Sequence, residues 1–246
     1  MFNLENYQER TYRDKTLGHE LVEQTIIQNE SDLQIYANKN VVEGAESHLS
    51  DIRKILSKYI ERRPLFQTSL EPIKQDHKAH YLVKQMIKAS SLAGVGPMAA
   101  VAGAVSQYVA ECLVEEEDDL TDIFIENGGD IYLRSSIERR ILVHAGQSVL
   151  SEKLALKIKP EMTPCGICTS SGTVGHSLSF GKADAVVVIS KDTCLADATA
   201  TLVGNLIKSH TDIEKGISFA KTIPGINGIL IIVGDQLGAW GEIELC

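Results

Sequence analysis

The chain has 246 residues, 43% of them hydrophobic and 23% charged, with a formal net charge of −9. That length is ample to bury a core and is read as a single domain over residues 1–246, while the acidic balance excludes nonspecific nucleic-acid binding, which needs basic surface against phosphates. No apolar run reaches the roughly 18 residues of a spanning helix, the first residues lack the basic and apolar regions of a secretory signal, and five cysteines in so long a chain read as reduced thiols, so a cytoplasmic protein without a membrane partner is expected.

Helix and strand signals alternate along the chain without a repeat. Residues 21–27 and 33–37 flank the turn-rich Asn29-Glu30-Ser31-Asp32 and predict a hairpin. Residues 43–61 carry apolar side chains at Ala45, Leu49, Ile52, Leu56, Tyr59 and Ile60, an amphipathic helix that ends before Pro64. A further helix is expected over residues 77–91. Residues 97–114 differ in kind. Pro97 suits a first helical turn, and Ala99, Ala100, Ala102, Gly103, Ala104 and Ala110 permit close backbone approach, so this is a central buried helix. Its apolar character fits either a core or a subunit interface of a homo-oligomer. The acidic residues 115–119 should leave it as a solvated connection.

The second half is richer in strands. Residues 123–125 and 131–133 bracket Asn127-Gly128-Gly129-Asp130, and residues 140–145, 154–158, 183–190 and 229–233 add further strands. Helices are expected over 194–207 and 212–222. Asp235-Gln236-Leu237-Gly238 is read as a turn into a last strand over 240–245. This irregular order favours an α+β fold over a regular parallel array, with mixed or antiparallel sheets packed with helices around the central helix.

Four segments carry candidate chemistry. Asn127-Gly128-Gly129-Asp130 is either an Asn-Gly hairpin turn or a place where paired glycines let a ligand meet the backbone beside Asp130. Thr169-Ser170-Ser171-Gly172-Thr173-Val174-Gly175-His176 has hydroxyls and glycines without a hydrophobic period. It is either a solvated loop or an anion-binding concavity. Asp197 and Thr201 lie four residues apart, hence on one helix face, and offer the partial oxygen shell that Mg²⁺ takes from proteins. The alternative is a helix whose Thr bonds back to its own carbonyl. Cys165-Gly166-Ile167-Cys168 is half of a tetrahedral zinc site with no second pair to complete it, and it is expected to end a strand rather than open a redox helix. Cys168 is expected at the mouth of the polar segment, where a thiol can carry sulfur. Cys168 and His176 are therefore the catalytic candidates, although no Gly-x-Ser-x-Gly elbow accompanies the histidine.

The order Asn127-Gly128-Gly129-Asp130-Ile131, Thr169-Ser170-Ser171-Gly172 with His176, then Leu195-Ala196-Asp197-Ala198-Thr199-Ala200-Thr201 resembles that of the ApbE family. Those enzymes are flavin transferases that move FMN from FAD to a threonine of a target protein with Mg²⁺. Residues 168–177 with Gly181-Lys182-Ala183-Asp184-Ala185 resemble a short ApbE-like branch of methanogens and sulfate reducers, linked to sulfide assimilation and homocysteine formation. The resemblance implies Mg²⁺ ligands at Asp197 and Thr201. It implies a flavin site lined by Asn127, Gly128, Gly129 and Asp130, with Thr169, Ser170, Ser171 and Gly172 on the same cleft. Two family segments depart. Ala100-Val101-Ala102-Gly103-Ala104 has no counterpart of the family's lysine, and His176 is followed by Ser177-Leu178-Ser179-Phe180-Gly181 rather than the family's Asp-Pro-x-Thr-Gly pattern.

Three functions are compatible with these residues: an ApbE-like ligand-binding protein serving sulfide assimilation, a Mg²⁺-dependent FAD:protein FMN transferase, or a non-enzymatic binding or assembly subunit. The expected ligand is a small molecule or nucleotide, with FAD or FMN and Mg²⁺ as cofactors. A protein of sulfur metabolism is the expected partner.

Overall fold

Alternating apolar side chains build one large antiparallel sheet whose two faces are both covered. The structure is a computed structural model and describes residues 20–173 and 181–246. Its strands are β1 (Val22–Gln28), β2 (Ser31–Ala37), β3 (Ile123–Asn127), β4 (Asp130–Arg134), β5 (Arg139–Leu142), β6 (Ala155–Ile158), β7 (Cys165–Ser170), β8 (Ala185–Ser190), β9 (Ile226–Val233) and β10 (Gln236–Gly241). Eight of them form a sheet in the order β1-β2-β3-β4-β7-β8-β9-β10, while β5 and β6 pair separately. Each strand of the large sheet thus lies beside its neighbours in chain order, with the β5–β6 pair inserted between β4 and β7.

The helices occupy two of the connections. Between β2 and β3 run α1 (Val42–Arg62), α2 (Leu65–Thr68), α3 (Tyr81–Ala93) and α4 (Val101–Glu116); between β8 and β9 run α5 (Thr193–Leu206) and α6 (Ile213–Ala220). A 3₁₀ turn at Pro97–Ala100 leads into α4. With a side-chain period of two, Ile35, Ile125, Tyr132, Val188 and Ile231 face the helical layer. Their neighbours Tyr36, Phe124, Ile131, Leu133, Val187 and Ile232 face a second core with Ile141, Leu156 and Ile158 of the small sheet. Strands β2 and β8 are consequently buried along their whole length. The α+β expectation holds, with antiparallel pairing at every ladder of the large sheet.

The first hairpin, the amphipathic helix and the central helix form where their patterns place them. The run Pro97–Glu116 is long and apolar enough to cross a membrane by length and composition, contrary to the reading of the bare apolar run. Packing of α4 against α1, α5, β3 and β4 makes it a core helix. The acidic segment after it is not simply solvated, because Lys39 Nζ donates to Glu117 Oε2 and Asp119 Oδ1, each at 2.7 Å. Several strand boundaries differ from expectation, two of them in ways that change a reading. The Cys-x-x-Cys segment opens β7 instead of ending a strand. The last strand begins at Gln236 because the turn falls at Gly234, whose φ is +63° and whose N–H donates to Asp184 Oδ2 at 2.7 Å.

A buried ionic node fastens the end of the β3–β4 hairpin. Asp122 accepts hydrogen bonds from Ser135 Oγ at 2.6 Å, Ser136 N at 3.0 Å, Ser136 Oγ at 2.8 Å and Arg139 Nη2 at 3.1 Å. Burial alone would raise the Asp122 carboxyl, but the donors of Ser135, Ser136 and Arg139 outweigh it and hold the group well below the ordinary carboxylate range. Its contribution to stability is present above about pH 4, the unfolded value, and is lost as pH falls through the lower folded value. Asp122→Ala should destabilise the chain by about 1–3 kcal/mol, by removing the acceptor of Ser135 and Ser136 and leaving buried Arg139 with Glu20 and Ser135 as its partners. Asp122→Asn should flatten the acid limb of a stability profile measured by denaturant unfolding across pH.

Candidate functional site

The two central glycines of the β3–β4 turn have φ of +68° and +99°, the left-handed pair that a two-residue hairpin loop requires. Asn127 pairs with Asp130 across this turn, and Asp130 pairs in turn with Cys168 of β7. The plain hairpin reading of Asn127-Gly128-Gly129-Asp130 is therefore correct, and the same turn also delivers Asp130 to the helical face of the sheet. Gly129 N–H donates to Glu126 Oε1 at 2.6 Å, and Thr169 N–H donates to Gly129 O at 3.2 Å, tying the turn to β7.

Helix α5 lies directly on β7. A Cβ on Gly166 would stand 2.5 Å from Thr193 Cα, and one on Gly204 would stand 2.9 Å from Ser170 Oγ. Only glycine admits so close a contact at both ends. Between these contacts α5 presents Asp197, which like Asp130 is only 7% exposed. Its Oδ2 accepts the Gly103 N–H at 2.9 Å, and the Ala102 N–H also reaches this carboxylate. Ala102 and Gly103 are among the first residues of α4, whose early N–H groups have no partner within the helix. Ala100, at the start of α4, offers no capping side chain, so Asp197 caps the helix from a neighbouring element. Asn127 Nδ2 donates to Ala102 O at 3.2 Å, joining the hairpin turn to the same helical turn.

The electrostatics follow from this burial. Asp130 is raised well above the ordinary carboxylate value by desolvation first and by the negative charge of Asp197 second. Desolvation pushes Asp197 up to about 7, opposed by the two N–H donors of α4. Asp130 Oδ1 is buried without a hydrogen-bond partner. Cys168 is fully buried, and desolvation, Asp130 and Asp197 together raise its thiol well above the ordinary value. It keeps its proton, donating to Thr193 O at 3.5 Å and interacting with the Asp130 carboxylate. Its expected place at the mouth of the site is thus corrected. It lies beneath the carboxylates, where a protonated thiol is a poor nucleophile. Cys165, three residues earlier on the strand, joins the core on the opposite face, so the pair cannot share a metal or close a disulfide in this arrangement.

The hydroxyl segment divides for the same reason. Ser170 shares the helical face with Cys168 and lies against Gly204, whereas Thr169 shares the face of Ile167. Ser171 Oγ accepts the Thr173 N–H at 3.1 Å, and Thr173 Oγ1 donates to Asp184 Oδ1 at 3.1 Å. Gly172 N–H donates to Ala183 O at 2.9 Å. Among the described residues, these polar groups hold the segment's own turn. His176 lies outside the described residues. Thr201 follows Asp197 by one helical turn and is partly exposed.

A hard cation fits this donor set. Two buried carboxylates stand together, one with an oxygen lacking any partner, and a hydroxyl lies one turn away. Among the described residues no group of three or more His, Cys, Asp or Glu side chains is arranged to hold a metal. A cation here would therefore complete its shell from water and ligand, as Mg²⁺ commonly does. Residues 97–103, 127–130, 168–172 and 197–204 include no Lys, Arg or His. The partnership of Asp130 with Asp197 and the role of Ala102 and Gly103 were not read from the sequence. The one available signal was a glycine near the start of a helix otherwise built of alanine and valine.

Comparison with known proteins places this geometry in a family context. The family described as AbpE bacteria matches residues 16–223. A UPF0280 protein of Methanococcus maripaludis (strain C7) is 43% identical over 203 residues, covering 81% of each chain. One from Methanosarcina barkeri is 39% identical over 203 residues, covering 82% of this chain and 79% of the relative. Among solved structures, the flavin transferase ApbE from Vibrio cholerae superposes with a TM-score of 0.59 at 15% identity, covering 90% of this chain and 97% of its own. The ApbE protein from Thermotoga maritima gives 0.61 at 15% identity, covering 89% and 96%. These structural likenesses establish the fold.

The raised carboxyls set the pH response of the metal-free chain. Protons bound more tightly in the folded state contribute stability that is complete below about pH 4, the unfolded value. That contribution is lost as pH rises through the folded value, about 7 for Asp197. Melting temperature in chelator should therefore fall across this window, and Asp197→Asn should flatten the fall. At mildly alkaline pH, Mg²⁺ at 100 times its dissociation constant should restore about 2.7 kcal/mol. An unchanged melt on adding Mg²⁺ would count against a cation at this site.

Proposed function

The chain belongs to the family described as AbpE bacteria, and from that membership we propose that it binds a flavin nucleotide through a divalent cation at the Asp130–Asp197 site. The observation that carries this reading is the buried carboxylate pair, in which Asp130 Oδ1 has no partner. A buried acceptor left open costs about 1–3 kcal/mol, and a bound cation removes that cost. The flavin part of the reading comes from the solved relatives titled as flavin transferases, whose fold this chain shares.

Asp197 and Thr201 are the proposed cation ligands, joined by Asp130. When bound, the cation neutralises pyrophosphate charge and polarises phosphoryl oxygens. The chain's own residues do the rest. The N–H groups of Ala102 and Gly103 orient Asp197. Asn127 holds the hairpin turn against α4, and Gly128 and Gly129 leave the backbone of that turn open to a ligand. Ser170 presents a hydroxyl on the same face, and Cys168 serves as a buried donor beside Asp130. With no basic side chain on these segments, compensation of phosphate charge falls to the cation.

Calorimetry with FAD and FMN, with and without Mg²⁺, tests this. Binding should require Mg²⁺, vanish in Asp197→Ala and weaken about 10-fold in Thr201→Ala, the scale of one lost charge-assisted contact. Equal affinity in chelator would overturn the cation reading. Mg²⁺ binding without any flavin affinity would retain the metal and reject the ligand.

A further inference from the structure

We propose that Gly103 and Asn127 are positioning residues for the cation site, acting through the first turn of α4. The inference rests on the cation reading above and adds residues that contribute no metal ligand. Three elements meet at this turn. Its Gly103 N–H holds Asp197 Oδ2 at 2.9 Å, its Ala102 carbonyl receives Asn127 Nδ2 at 3.2 Å, and Asn127 is paired with Asp130 across the hairpin. The helix start thus links the two carboxylates, which come from different parts of the chain.

Gly103 makes the approach possible. A Cβ there would stand 2.7 Å from Thr193 O and 3.0 Å from Asp197 Cβ. The first of these is backbone of α5 and cannot swing aside. Any side chain at 103 would drive the start of α4 away from α5 and draw the N–H groups off Asp197. The helix end also supplies partial positive charge to a carboxylate buried without a basic partner. Asp130 Oδ1, more than nine-tenths buried and without a partner, is the second mark of a ligand at this junction.

The test measures Mn²⁺ binding to the full chain by electron paramagnetic resonance, Mn²⁺ being suited to the same oxygen donors as Mg²⁺. Gly103→Ala and Asn127→Ala should each weaken binding by about 10-fold or more, the usual consequence of removing a group that orients a metal ligand. Gly44→Ala is the packing control, since its Cβ would press Leu113 Cδ2 at 2.8 Å toward the far end of α4, and it should leave the affinity unchanged. If Gly103→Ala does not fold, Asn127→Ala decides, because it removes the bond to Ala102 without crowding α5. Affinities within about twofold of the unaltered chain for both variants, or an equal loss in Gly44→Ala, would overturn the proposal. Failure of the unaltered chain to bind Mn²⁺ would instead overturn the cation reading beneath it.

Discussion

The hydrogen bond from Gly103 N–H to Asp197 Oδ2 is the constraint on which the site depends. It solves two problems of burial together. The start of α4 has backbone donors that no capping side chain of its own satisfies, and α5 carries a carboxylate sealed from solvent. Each group is costly alone, and each satisfies the other. The contact requires α4 and α5 to approach closely, and the glycine is what permits it. Asp197 is then held by the start of α4.

Asp130 occupies the opposite situation. It reaches the same place through a hairpin turn that only glycines make comfortably, yet one of its oxygens faces no donor. Two carboxylates with unequal support thus share one buried position. Desolvation accordingly raises both carboxyls above the ordinary range. That imbalance distinguishes the junction from the Asp122 node, where three serine donors and a guanidinium satisfy a buried carboxylate. All three carboxylates have little exposed surface, but desolvation dominates at Asp130 and Asp197 whereas hydrogen-bond donors outweigh it at Asp122.

The antiparallel sheet explains why neighbouring sequence residues part company. Strand β7 carries Cys165, Cys168, Thr169 and Ser170 within six residues, and they read together as a thiol pair followed by a hydroxyl loop. On a strand, successive side chains point to opposite faces. Cys168 and Ser170 therefore join Asp130 and Asp197, while Cys165 and Thr169 turn toward the other core.

Local pattern alone determined the helices, most of the strands, the Asn-Gly hairpin and the Asp197–Thr201 spacing on one helix face. Those features depend on turns, periods and residue types within short windows. The resemblance to the ApbE family likewise rested on motifs legible in order along the chain. The pairing of Asp130 with Asp197, the capping of α4 by a residue 94 positions away, and the burial of Cys168 required the tertiary structure. They arise where α4, α5, β7 and the β3–β4 turn meet, and no period within one segment encodes the distance between two others.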